Sequence, residues 1–219
     1  MNIINEKVVL YLNDLYKPLN DDMEALRNFA EETHVPIILK DSEQLILNLL
    51  RIKKPKRILE IGTAIGYSAC CFAAVCKDCQ IITIEYDLDS KKRAEENIER
   101  FGYQDKIRVL YGNAVDVIRD LDDSEKFDFV FIDAGKSHYQ EFFDAAFSHC
   151  LDQALIIADN VLLKAKTVSD EYDPTNKSKT NIKKMREFLA YLTSLEQVNT
   201  SVVSVGDGLS ISIIEGINE

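Results

Sequence analysis

Two carboxylates and one amide stand at the ends of apolar runs in a pattern that suits a hard metal ion. Asp133 follows the run FDFVFI, and Asp159 and Asn160 follow the run ALIIA. The carboxyl ends of neighbouring parallel strands face one crevice, and oxygen ligands of this kind suit Mg²⁺ or another divalent cation such as Mn²⁺. A single aspartate there is more often a turn or cap residue. Three such residues together favour a metal site.

Lys136, three residues after Asp133, is a candidate general base. A metal ion lowers the pKa of a hydroxyl group that it holds, and a nearby lysine can take the released proton. Lys136 and Asp133 are therefore the predicted catalytic residues. His138 is an alternative base, although its position also suits a substrate contact or a helix cap.

A glycine-containing turn, Gly62-Thr-Ala-Ile-Gly66, follows the run RILEI and leads directly into a helical pattern. Its glycines let the backbone approach a ligand closely, and the first amides of the helix favour an anion. The spacing is not the G-x-G-x-x-G of dinucleotide sites. Glu85 ends the next apolar run, where an acidic side chain can accept hydrogen bonds from both ribose hydroxyls. The alternative is a solvated region before a helix that Asp87 caps. Together the turn and Glu85 predict a ribose-bearing cofactor.

Short β-branched runs alternate with helical patterns and must position these residues. The runs are RILEI, QIITIE, KIRVLY, FDFVFID and ALIIAD. Their alternation with helices predicts a parallel sheet covered on both faces. The helix SKKRAEENIERFG ends at Gly102, a typical C-terminal cap. Two further strands, NTSVVSV and LSISII, close the chain around Gly206-Asp207-Gly208.

Two helices are predicted ahead of the first strand, around DDMEALRNFAEE and DSEQLILNLLR. Asp41 and Gln44 are the predicted capping pair of the second helix. We predict one domain over residues 1–219, with a helical extension at 1–54 and a core at 55–219. The polar segment from Val161 to Lys179 is the longest candidate loop and a plausible lid, and a helix near 181–195 follows it.

Composition excludes several classes of protein. The chain has 219 residues and a formal net charge of -11, which argues against nonspecific coating of nucleic acid. No apolar run approaches the roughly 20 residues that cross a bilayer, and charges interrupt the N-terminal stretch. We therefore expect a cytoplasmic protein without a membrane partner. The five cysteines, including Cys76 and Cys79, lack a second CxxC motif and are expected to be ordinary buried thiols.

The segments ILEIGTAIGYSA, ITIE, YGNA, FIDAGKSHY and ADNVL occur in this order over nearly the whole chain. In both order and spacing they resemble the metal-dependent O-methyltransferases of the caffeoyl-CoA and catechol type, which have the class I methyltransferase fold. The segments HVPI, EIGTAIGYSA, DNVL and VGDGL are most similar to the bacterial methyltransferases that act on 5-hydroxyuridine in tRNA.

This resemblance implies a Rossmann-like three-layer α/β sandwich, with a seven-stranded, mostly parallel sheet whose last strand is antiparallel, and usually a homodimer. It implies S-adenosylmethionine as the methyl donor and a metal at Asp133, Asp159 and Asn160, with Lys136 as the base. The implied cofactor residues are Gly62, Thr63, Ala64, Tyr67, Ser68, Glu85, Asn113, Ala114 and Asp133. Asn113 departs from the aspartate common in relatives, but its amide can still form a hydrogen bond with adenine.

The acceptor is inferred from the resemblance and from a cluster of basic residues. The leading hypothesis is methylation of the 5-hydroxyl of 5-hydroxyuridine in tRNA, which gives 5-methoxyuridine. Seven cations could contact phosphates: Lys164, Lys166, Lys177, Lys179, Lys183, Lys184 and Arg186. The alternatives are methylation of a small catechol-like or phenolic molecule by the same site, with the cations on a solvated surface, and a binding module without activity.

Overall fold

The computed structural model describes residues 6–175 and 177–216. Its strands are β1 (Arg57–Ile61), β2 (Gln80–Glu85), β3 (Ile107–Tyr111), β4 (Phe127–Ile132), β5 (Cys150–Asp159), β6 (Val198–Val203) and β7 (Leu209–Ile214). They form one sheet in the order β3-β2-β1-β4-β5-β7-β6. Strands β1 to β5 are parallel, and β7 is antiparallel to both of its neighbours. The predicted sheet, including its antiparallel last strand, is confirmed.

The α-helices alternate with the strands after an N-terminal group of three. They are α1 (Glu6–Asp14), α2 (Asp21–Glu32), α3 (Lys40–Lys53), α4 (Tyr67–Val75), α5 (Leu88–Arg100), α6 (Ala114–Arg119), α7 (Tyr139–Phe147) and α8 (Lys179–Ser194). Short 3-10 helices cover Lys136–His138 and Asp170–Tyr172.

Helices cover both faces of the sheet because successive strand residues point to opposite faces. On β4, Phe129 and Phe131 belong to one buried cluster, together with α2 to α5. Val130 and Ile132 belong to a second cluster, together with α6, α7 and α8. The resulting three layers leave the carboxyl ends of the strands uncovered.

The start of α3 differs from the prediction. The helix begins at Lys40 after Leu39, which forms no side-chain cap, so the proposed Asp41–Gln44 capping pair was wrong. The Asp41 carboxylate instead accepts hydrogen bonds from the amides of Ser42 at 3.0 Å and Gly206 at 2.9 Å. Its charge therefore joins α3 to the turn between β6 and β7. At α5 the predictions are confirmed, because Asp87 caps its start and Gly102 follows its end with a φ of 73°.

The segment between β5 and α8 is folded against α8. Arg186 Nε donates to the Thr167 carbonyl at 2.8 Å, and Lys166 pairs with Asp173 at 3.2 Å. Leu163, Lys164 and Ala165 all have positive φ angles, a conformation that is unfavourable for residues with a Cβ atom. Such strain persists only where surrounding contacts maintain it. The role of this segment as a closing lid stays a prediction.

The five cysteines are buried thiols, as predicted. Burial raises the pKa of the Cys70 and Cys150 thiols to about 12. Cys79 Sγ donates a hydrogen bond to the Cys76 carbonyl at 3.1 Å. Within residues 6–175 and 177–216, no helix combines the length and apolar character that crossing a membrane requires.

Candidate active site

A cavity of about 1150 Å³ opens at the carboxyl edge of the sheet. It lies where the strand order reverses between β1 and β4, the usual ligand crevice of open α/β sheets. The structure brings together all predicted cofactor residues along its lining: Gly62, Thr63, Ala64, Tyr67, Ser68, Glu85, Asn113, Ala114 and Asp133. Lys136 and Asn160 also line this cavity.

The turn after β1 is tied to Glu85 at the end of β2. The amides of Thr63 and Ala64 donate to Glu85 Oε2 at 3.2 and 2.8 Å. Gly62 and Gly66 have φ angles of 102° and 79°, which glycine adopts without strain. Glu85 therefore fixes the turn as well as lining the cavity.

We expect Gly62→Ala to disrupt this edge of the site. A Cβ atom at residue 62 would lie 2.2 Å from the Asp133 carbonyl oxygen, so the ends of β1 and β4 would have to separate. The free energy of unfolding should fall by at least about 2 kcal/mol, and S-adenosylmethionine should bind more weakly. Urea denaturation and calorimetric titration measure the two effects.

Gly102→Ala is the matched control, because Gly102 also has a positive φ but a Cβ atom there meets nothing within 4 Å. It should cost only about 1 kcal/mol and leave ligand binding unchanged. Equal effects of the two substitutions would contradict the close approach at Gly62.

Beneath the turn, Glu60 is fully buried and was not identified from the sequence. It accepts hydrogen bonds from Ser68 Oγ and Thr83 Oγ1, both at 2.5 Å. Burial raises the pKa of Glu60 to about 7 despite these hydrogen bonds, and the charges of Asp133 and Glu85 add to the increase. An acidic residue inside the apolar run RILEI was the available signal.

The side chains of Asn113 and Tyr67 also have structural partners. Asn113 caps α6, because its Oδ1 accepts from the Val115 amide at 3.0 Å. The Tyr67 hydroxyl donates to Glu43 Oε2 at 2.7 Å, toward the N-terminal helices. The hydroxyl of Tyr67 is thus engaged by α3.

The Lys136 ammonium group lies between the ends of β4 and β5. Its Nζ donates to Asp133 Oδ1 and Asn160 Oδ1, both at 2.6 Å, and to the Tyr139 hydroxyl at 2.8 Å. Asn160 has a φ of 59°, a left-handed conformation that asparagine tolerates better than most residues. The structure therefore places Asp133, Asn160 and Lys136 together, as predicted.

Asp159 is 1% exposed and lies behind the cavity lining. Its Oδ1 accepts from the Asn160 amide at 2.6 Å, while the buried Oδ2 has no hydrogen-bond partner among the residues described. Burial raises the pKa of this carboxyl to about 8, and the charge of Asp133 adds to the effect. A cation would stabilise the ionised form of this buried carboxyl beside a second carboxylate. The donor set thus fits a hard metal ion.

This donor set comprises two carboxylates and one amide. In the described part of the chain, no group of three or more His, Cys, Asp and Glu side chains is placed to hold a metal. The fit to a metal ion therefore depends on the Asn160 amide oxygen as a ligand beside Asp133 and Asp159.

His138 lies on the cavity wall, and its side chain is 55% exposed. Its Nδ1 is 3.0 Å from Glu141 Oε2 in the first turn of α7. The hydrogen bonds of the Lys136 ammonium do not include His138. This position suits contact with a substrate.

One wall of the cavity is apolar and was not identified from the sequence. The residues that form it are Val9, Pro36, Ile37, Ile38, Leu39, Phe142 and Leu163. They come from the N-terminal helical region, α7 and the segment after β5, so distant parts of the chain build a single surface. Apolar lining of this kind suits an apolar part of a ligand in the cavity that Lys136 also lines.

A family model described as O-methyltransferase matches residues 17–213. The chain is 32% identical to a catechol O-methyltransferase of Niastella koreensis, over 98% of this chain and 99% of that protein. It is 29% identical to a caffeoyl-CoA O-methyltransferase of Populus kitakamiensis, over 94% and 91% of the two chains.

Among solved structures, the fold is similar to an O-methyltransferase of Streptomyces achromogenes in complex with SAM. The TM-score is 0.81 at 25% identity, and 96% of each chain is covered. The residues matched by the family model include every predicted site residue from Gly62 to Asn160.

Proposed function

The chain belongs to the O-methyltransferase family and is an S-adenosylmethionine-dependent O-methyltransferase, and we propose that it methylates one hydroxyl of a small catechol-like phenol with the help of a divalent metal. The observation that carries this proposal is the position of Lys136 Nζ, which lies 2.6 Å from both Asp133 Oδ1 and Asn160 Oδ1. The neighbouring Asp159 has a buried Oδ2 without a hydrogen-bond partner among the residues described. The apolar wall lines the same cavity as Lys136, Asp133 and Asn160.

The donor side of the proposed site is the turn after β1 together with Glu85 and Asn113. Gly62, Thr63 and Ala64 would line the methionine part of the donor, and Glu85 would accept hydrogen bonds from the ribose hydroxyls. Asn113 and Ala114 would lie beside the adenine. The amides that Glu85 already binds keep its carboxylate at this edge.

On the acceptor side, Asp133, Asp159 and Asn160 would hold Mg²⁺ or Mn²⁺. When bound, such an ion orients a neighbouring hydroxyl group and lowers its pKa. Lys136 Nζ, once it has lost a proton to solvent and is a neutral amine, would accept the proton of that hydroxyl. The oxygen would then form a bond to the methyl carbon, the bond from that carbon to the sulfonium would break, and the electron pair would stay on sulfur.

The names of the relatives favour a small acceptor. The protein of N. koreensis is named for catechol and that of P. kitakamiensis for caffeoyl-CoA. An apolar wall of Val9, Leu39 and Phe142 suits an aromatic ring, and a second hydroxyl group on the ring would give the metal two oxygen ligands. We therefore place a vicinal phenolic diol ahead of tRNA, which reverses the order expected from the sequence.

The basic cluster supports the hypothesis of a tRNA acceptor less strongly than the number of its cations suggested. Four of its seven cations pair with carboxylates of the same chain. The pairs are Lys166 with Asp173, Lys183 and Lys184 with Glu187, and Arg186 with Asp170. Phosphate contacts by these side chains would compete with those pairs, on a chain with a net charge of -11.

The homodimer and the cytoplasmic location drawn from the sequence stay predictions. Helix α1 exposes apolar side chains that a second copy could cover, among them Leu10 and Tyr11 at 59% and 63% exposure.

The test is methyl transfer from labelled S-adenosylmethionine, with Mg²⁺, to matched acceptors. Catechol and caffeic acid each carry two adjacent hydroxyls, phenol carries one, and tRNA containing 5-hydroxyuridine represents the rival. We expect label in catechol and caffeic acid and little in phenol, because phenol lacks the second oxygen. Label in the tRNA alone would contradict the proposed acceptor and restore the first hypothesis.

A further inference from the structure

A buried arginine outside the proposed site contacts two separate segments that line the cavity. Arg27 of α2 is 3% exposed, and its ion-pair partner Glu43 of α3 is 2% exposed. Arg27 Nη2 lies 2.5 Å from Glu43 Oε2. The guanidinium also lies over the rings of Tyr16 and Tyr67, at 5.3 and 4.8 Å from their centroids.

On the donor side, this cluster holds the residue that follows the turn after β1. Arg27 Nε donates to the Tyr67 hydroxyl at 3.0 Å, and that hydroxyl donates to Glu43 Oε2 at 2.7 Å. Tyr67 is the first residue of α4 and comes directly after Gly66, the last residue of the turn. The guanidinium and the carboxylate therefore hold the side chain of the first residue of α4.

On the acceptor side, the same guanidinium holds the apolar wall. Arg27 Nη2 donates to the Ile38 carbonyl at 2.9 Å. Ile38 and its neighbours Ile37 and Leu39 line the cavity. A planar guanidinium with several fixed donors can join both sides in a way that a single ammonium group cannot.

The other contacts of the turn come from the sheet and from α5. Glu85 binds the amides of Thr63 and Ala64, and Asn97 Nδ2 donates to the Ile65 carbonyl at 2.9 Å. The Tyr67 contact adds a tie to the N-terminal helices. It links the position of the donor turn to the segment that forms the acceptor wall.

We propose that Arg27 is a positioning residue that couples the donor-binding turn to the acceptor wall through Tyr67 and the Ile38 carbonyl. A well-packed apolar pair often replaces a buried ion pair without loss of stability, so stability alone does not account for this arrangement. The inference rests on the proposed function only for the identity of the acceptor. The part of the inference that concerns donor binding is tested with S-adenosylmethionine alone and does not depend on the acceptor.

The test combines Arg27→Met with Glu43→Met, so that neither charge stays buried without its partner. Tyr67→Phe is a second variant, which keeps the ring and removes only the hydroxyl. In both, the dissociation constant of S-adenosylmethionine should rise about tenfold. In the double variant, which also removes the donor to the Ile38 carbonyl, KM for catechol should rise about fivefold. For the double variant, kcat at saturation should change by less than about threefold, because neither Arg27 nor Glu43 lines the cavity.

Arg51→Met is the matched control, since Arg51 is an exposed arginine of α3 that donates a hydrogen bond to Asn48 Oδ1 at 3.0 Å. It should bind the donor and catechol like the wild type. Arg27→Lys keeps the charge but loses the planar guanidinium with its several donors, so its donor affinity should lie between those of the double variant and the wild type.

Folded Tyr67→Phe and Arg27→Met/Glu43→Met proteins that bind S-adenosylmethionine with the wild-type dissociation constant would overturn the proposal, even if their unfolding temperatures fell. If the double variant does not fold, the binding result for Tyr67→Phe decides. If the wild type methylates no catechol while the variants still show the tenfold loss of donor affinity, the proposed acceptor is refuted and the positioning role is supported.

Discussion

Asp159→Asn is expected to lower kcat/KM for methyl transfer to catechol by roughly two to three orders of magnitude, with little change in the affinity for S-adenosylmethionine. Asparagine keeps the size of the side chain and an oxygen that can accept from the Asn160 amide. It removes the negative charge that the proposed metal needs. Because Asp159 lies behind the cavity lining, the donor site should stay intact.

Steady-state kinetics with saturating Mg²⁺ and calorimetric titration of the donor measure these two effects. Asp128→Asn is the control, because Asp128 lies on β4 at the end opposite Asp133, where it accepts hydrogen bonds from the Lys56 and Arg57 amides. In EDTA at pH 8 the Asp159→Asn protein should unfold at or above the wild-type temperature, because it no longer buries an unpaired carboxylate. Unchanged catalysis would remove Asp159 from the metal site.

Lys136→Arg should lower kcat by roughly two to three orders of magnitude at neutral pH. Arginine retains a positive charge between Asp133 and Asn160, but its guanidinium stays protonated in proteins and cannot accept a proton. Lys136→Met, which removes the charge as well, should recover part of the rate between pH 7 and pH 9, because phenols with pKa values near 10 begin to ionise unaided. The measurement is the pH dependence of kcat at saturating catechol.

Lys91→Arg is the control for this substitution, since Lys91 pairs with Glu95 on α5 and does not line the cavity. A Lys136→Arg protein with a normal rate at neutral pH would show that Lys136 acts by its charge and not as the base. Weaker donor binding in the same protein would point instead to a disturbed turn.

Local sequence patterns predicted the parallel part of the sheet and the residues at the strand ends, whereas the family resemblance supplied the antiparallel last strand and most other residues around the cavity. The β-branched runs alternate with helical patterns at short range, and the aspartates at the strand ends occupy one edge whenever the strands are parallel. Asp133, Lys136 and Asn160 therefore meet as expected. The alternation indicated parallel strands but not their order in the sheet.

Contacts between distant segments were beyond sequence reasoning. Asp41 carries the local signature of a helix cap but binds Gly206, which is 165 residues away. In the sequence, Glu60 is one polar residue in a strand, and only the fold shows that it is buried and accepts hydrogen bonds from Ser68 and Thr83. The apolar wall of the cavity combines Val9, Leu39 and Leu163, whose helices and loops carry no shared motif.

The acceptor was the weakest part of the sequence interpretation for a physical reason. A count of lysines and arginines does not show which of them are already paired, and Lys166 and Arg186 have carboxylate partners in the fold. Charge on a segment therefore indicated nucleic acid more strongly than the folded surface does.

The most direct test of the account is methyl transfer from labelled S-adenosylmethionine to catechol before and after treatment with EDTA, followed by addition of Mg²⁺. We predict label in catechol that disappears with EDTA, returns with Mg²⁺, and is nearly absent at every stage with Asp159→Asn. Transfer that continues at the same rate in EDTA, or that Asp159→Asn supports as well as the wild type, would contradict a metal-assisted reaction at this site.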